Sequence, residues 1–109
     1  MKVAIDVFVH TALGVPIGSV NGVLEYDDVP QIGDSLSFVF PPRKDAPRVA
    51  SFSGVIKVTN RLISVVNGPE AAKALVTLED IVTTTTDEGI AIAKYLEAGF
   101  GLGFKRYDP

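Results

Sequence analysis

From Lys2 to His10 the side chains alternate, with Val3, Ile5, Val7 and Val9 on one face and Ala4, Asp6, Phe8 and His10 on the other. Extended backbone sends successive side chains to opposite faces, so this period of two, carried by β-branched residues, predicts a strand. The period returns in Ser19–Tyr26, where Val20, Gly22, Leu24 and Tyr26 share a face. It returns again in Leu36–Phe40, in Phe52–Val58 and in Leu75–Val82. Between these runs stand turn formers: Gly14 and Pro16, the segment Asp27 to Asp34 with Pro30 and Gly33, Pro41-Pro42, and Asn67-Gly68. A chain so punctuated must build a sheet.

One segment breaks the rule. Thr85 is followed three residues later by Glu88, the spacing of a capping box, and Asp87 and Glu88 suit the positive end of a helix dipole. Ile92, Tyr95 and Leu96 then recur at helical spacing, and Gly99 marks an end. The spacing predicts a helix over Thr86–Ala98. A shorter helical turn is expected at Pro69–Ala74, where proline precedes good helix formers. The tail from Phe100 carries Phe100, Leu102, Phe104 and Tyr107, too apolar to stay in solvent, and is expected to dock.

Strands joined by short turns and closed by one helix predict a single domain over residues 1–109, mainly β. The expected architecture is a small antiparallel barrel or a highly curved sheet, with an open sheet crossed by the helix as the alternative. The segment Val29–Phe40, a Pro/Gly/Asp turn leading into a strand, resembles the opening of an SH3-like barrel, with Phe52–Ile63 as its next, bent strand.

Hydrophobic residues make up 47% of the chain and charged residues 21%, and the mean hydropathy is +0.30. A small domain has much surface to cover, so this balance leaves apolar area for another copy to cover. Phe8, Val39 and Val55 fall on strand faces opposite the predicted core. With Phe100 and Phe104 of the tail they are the candidate oligomer interface.

There is no cysteine and only one histidine. Disulfides and thiolate metal sites are excluded, and neither a metal nor a cofactor is expected. A reducing, cytoplasmic setting is the simplest reading. The first apolar run contains Lys2 and Asp6, too charged for a membrane span. No membrane partner is expected.

Catalytic residue types are scarce. The carboxylates fall at a turn (Asp27, Asp28, Asp34), a strand end (Glu79, Asp80) and a helix start (Asp87, Glu88). The serines show no Gly-x-Ser-x-Gly pattern, and the glycines from Gly99 to Gly103 follow a helix rather than open one. His10 could serve as a base, with a carboxylate supplied by a neighbouring subunit. The basic loop Pro41–Arg48 holds Arg43, Lys44 and Arg48, and Lys105, Arg106 and Tyr107 could extend that surface toward phosphate and bases. Three functions are therefore expected in order. The first is a non-enzymatic binding protein assembled as a dimer or larger ring, with a protein or small-molecule ligand of unknown identity. A nucleic-acid-binding barrel using the basic loop comes second, against a net charge of −3. A small hydrolase or isomerase using His10 comes third.

Overall fold

The computed structural model describes residues 1–43, 46–63 and 72–107. Its elements are β1 (Lys2–Thr11), β2 (Pro16–Glu25), β3 (Ser35–Ser37), β4 (Val55–Ile63), β5 (Ala74–Leu78), β6 (Ile81–Thr83), α1 (Thr86–Phe100) and β7 (Gly103–Arg106). The strands form one sheet in the order β3-β4-β5-β1-β2-β7, with β6 also paired to β1. The fold is mainly β with one C-terminal helix, as the periodicities predict.

The sheet does not close into a barrel, because β3 and β7 end its path on opposite sides. The likeness to an SH3-like barrel stops there: β3 is three residues long and meets only β4. Nor is the sheet purely antiparallel. β1 is antiparallel to β2 but parallel to β5 and to β6. The chain leaves β1, builds β2 to β4, and returns along the other edge of β1. The expected strand Leu75–Val82 is split in two by Glu79 and Asp80. β5 and β6 then occupy one edge of β1 in succession.

β1 positions the core. Val3, Ile5, Val7 and Val9 are fully buried, and their cross-strand neighbours Val20, Val76 and Ile81 are buried on the same face. α1 lies across this inner face, against β1, β2, β6 and β7, and buries Ile92, Ala93, Tyr95 and Leu96. It starts where the capping box places it. Thr85 is extended and its hydroxyl accepts from the Glu88 N–H at 3.2 Å. The Glu88 carboxylate in turn accepts from the Thr84 N–H at 3.2 Å.

The helix runs two residues beyond the expected stop. Gly99 is helical and buried, and a Cβ there would stand 2.8 Å from Pro41 Cβ. The left-handed residue that ends the helix is Gly101, with φ 73°, whose N–H donates to the Glu97 carbonyl at 3.1 Å. The docked tail is β7, an edge strand antiparallel to β2. The first half of the expected turn at Pro69–Ala74 lies outside the described residues, and Ala74 opens β5.

The loop after β3 completes the core. Phe38 is buried, and its carbonyl accepts the Tyr95 hydroxyl. Phe38, Phe52, Tyr95 and Phe100 meet edge to face, with ring centroids 5.0 to 6.1 Å apart. Among the described residues no buried side-chain polar atom lacks a partner. None of the described helices is long and apolar enough to cross a membrane.

Candidate functional site

α1 covers one face of the sheet and leaves the other to solvent. On that outer face the register aligns side chains from neighbouring strands into rows. Leu62 of β4 stands opposite Leu75 of β5, Leu75 beside Ala4 of β1, and Ala4 opposite Val23 of β2. The result is an apolar ladder across four strands. Leu62 is 61% exposed, Val23 53% and Leu75 37%. A shallow hollow over Ala4 is walled by Asp6, Asn21, Val23 and Leu75.

The rows on either side are polar. Toward one end, Asn60, Thr77, Asp6, Asn21 and Gly103 are in register. Toward the other, Lys2 stands opposite Glu25, and the Lys73 N–H donates to the Lys2 carbonyl at 2.8 Å. Beyond the polar row lies an aromatic group. Phe8 sits 5.4 Å from His10 and 5.8 Å from Tyr107, ring centre to ring centre, with Lys105 on the neighbouring edge strand opposite Ser19.

The five interface candidates divide. Phe8 is on the outer face, half-buried beneath its aromatic neighbours. Val55 is 46% exposed. Val39 is half-buried in the loop after β3, with its Cγ2 2.9 Å from where a Gly54 Cβ would be. Phe100 and Phe104 are partly buried and pack against the core of their own chain. The ladder residues Leu62, Leu75 and Val23 were not singled out by sequence, because only the register between distant strands aligns them.

The basic candidates are not brought together. Arg43 folds back on the end of α1: its guanidinium lies near Gly101, and its backbone N–H donates to the Gly99 carbonyl at 3.4 Å. There it supplies the positive charge that the last turn of the helix lacks. Arg48 lines a cavity beside Tyr95, on the helix side of the sheet. Lys105 and Tyr107 belong to the opposite, outer side, and Arg106 to the edge strand between them. Lys44 lies outside the described residues. The nucleic-acid surface expected from these residues is thus divided by the sheet.

His10 finds its carboxylate within its own chain. Its Nε2 is 3.0 Å from Asp80 Oδ2, and its Nδ1 is 2.8 Å from the Thr11 carbonyl oxygen. Both ring nitrogens face oxygen acceptors, which leaves no ring lone pair directed at a substrate. The arrangement ties the end of β1 to the break between β5 and β6 within one chain. Among the described residues no cluster of three metal-ligating side chains occurs. No protein-family model, curated protein or solved structure matches the chain.

Proposed function

We propose that this protein is a non-enzymatic interaction module that works as a homo-oligomer, its copies joined through the outer face of the sheet. The observation that carries the reading is the aligned ladder Leu62–Leu75–Ala4–Val23. Single exposed hydrophobics are ordinary on a protein surface, but a contiguous row of them on a sheet face needs cover.

Area and charge favour a second copy as that cover. β4, β1, β2 and the lane of β5 with β6 are each about 30 Å long and about 4.8 Å apart, and with the shorter β7 they present roughly 700 Å² per partner, near the size of a stable interface. Packed sheets align within about 30°, so two outer faces stack without distortion. A two-fold axis along the ladder lays the row of Lys73, Lys2 and Glu25 over the partner's row of Thr77, Asp6 and Asn21. Lys2 then falls opposite Asp6, and no charge meets its own copy. An axis along β1 would set Lys2 on Lys2 and Asp6 on Asp6. A cytoplasmic location belongs to the same proposal, supported by the absence of cysteine.

Light scattering coupled to size exclusion tests it. The expected result is twice the chain mass at micromolar concentration, falling to the monomer mass in Leu75→Glu with the circular dichroism unchanged. A monomer mass for the unaltered protein would overturn the proposal.

A further inference from the structure

On the helix side of the sheet, away from the outer face, the loop after β3 and the helix line a half-open cavity of about 210 Å³. Its walls include Phe38, Val49, Phe52 and Tyr95, with Ser53 and Arg48 among its polar residues. Phe38 and Tyr95 are buried, and Phe52 stands edge to face on Tyr95 at 6.1 Å and 73°. We propose that this cavity is a binding site for a small anion built on one planar ring, with the ring against Phe38, Phe52 and Tyr95 and its carboxylate on Arg48.

Three observations set the ligand class. The first is size. An apolar cavity of about 150 Å³ holds a benzene ring, so this one has room for one ring with a small substituent. The second is wall chemistry. Angled aromatic walls favour another ring, offset or edge on, over a branched aliphatic group. The third is the polar inventory. The Tyr95 hydroxyl already donates to the Phe38 carbonyl, and the Ser53 hydroxyl is engaged with the backbone of Val55. Among the described residues Arg48 is the one charged side chain lining the cavity; it is exposed and stands in no ion pair with any of them. A guanidinium presents paired donors that match a carboxylate. The ligand's charged end therefore sits at the mouth while its ring reaches inward.

The test is a titration of the ¹⁵N-labelled protein with benzoate, read by amide shifts, with benzyl alcohol as the neutral control of the same size. Benzoate should shift Phe52, Ser53, Gly54 and Tyr95 with an affinity on the order of 1 mM, as befits so few atoms. Loss of a charge-assisted contact predicts at least about tenfold weaker binding for Arg48→Ala, with partial recovery in Arg48→Lys. Arg48 is exposed, so both variants should keep the parent spectrum elsewhere. Equal binding of benzoate and benzyl alcohol, unchanged affinity in Arg48→Ala, or no shift at these four residues would each overturn the proposal. The outcome is independent of the oligomer mass, since the cavity and the ladder lie on opposite sides of the sheet.

Discussion

His10 Nε2 stands 3.0 Å from Asp80 Oδ2 and so ties the end of β1 to the break between β5 and β6. The His10 ring is flanked by Phe8, while the Asp80 side chain is about half exposed. Exposure keeps the pair weak. Asp80→Ala should cost about 0.2–1 kcal/mol, and a double-mutant cycle with His10→Ala should return a coupling in that range. Urea unfolding measures both. A coupling near zero would assign the alignment of β6 to the backbone ladder alone.

The start of α1 depends on one hydroxyl. Thr85→Ala removes the acceptor of the Glu88 N–H and should destabilise the fold by about 1 kcal/mol, while Thr85→Ser should be nearly neutral. Chemical denaturation of the three proteins side by side decides it.

Gly89 sits in the first turns of α1, directly over β1 and β2. A Cβ there would stand 2.3 Å from Ile17 Cδ1 and 3.2 Å from both Thr83 Oγ1 and Val9 Cγ1. Ile17 and Val9 are themselves fully buried and have nowhere to move. Alanine gains about 1 kcal/mol of helix propensity, but overpacking a tight contact costs about 1–3 kcal/mol. Gly89→Ala should therefore be destabilising on balance, seen as a lower urea midpoint with an unchanged slope.

Burial pushes the Tyr26 phenol above its ordinary value of 10.0. The folded chain then holds this proton at a pH where the unfolded chain has lost it. The contribution to stability is complete below the unfolded value and disappears as pH rises through the raised folded value. Between about pH 9 and about pH 11 the parent protein should lose more stability than Tyr26→Phe. Parallel slopes for the two proteins across that window would contradict this.

Much of the fold was legible in local pattern. β1 runs as its alternation says, because an unbroken period of two leaves one register for burying Val3 to Val9. The helix start was legible in Thr85 and Glu88. Its end was not, since Gly99 and Gly101 both offer a stop and only packing against Pro41 keeps the first one helical. The break at Glu79–Asp80 carries neither glycine nor proline; its two carboxylates marked a strand end, but nothing marked the second strand that follows. The parallel pairing of β1 with β5 was also invisible, because alternation names a face and never a neighbour. The same limit hid the candidate site. Phe8 marked the outer face from sequence alone, but Leu75 and Ala4 meet only through that long-range register.

That register also bears on how quickly the chain reaches its native state. β1 sits at the middle of the sheet, yet Val3 cannot find Ala74, nor Val9 Ile81, until the long intervening segment has been drawn in. Closing so large a loop before any reward for it slows the search, and topologies ruled by such distant pairings fold on the order of milliseconds to seconds. During that interval the β1–β2 hairpin carries an unpaired edge, so the strand that organises the finished core is also the one most open to wrong partners on the way.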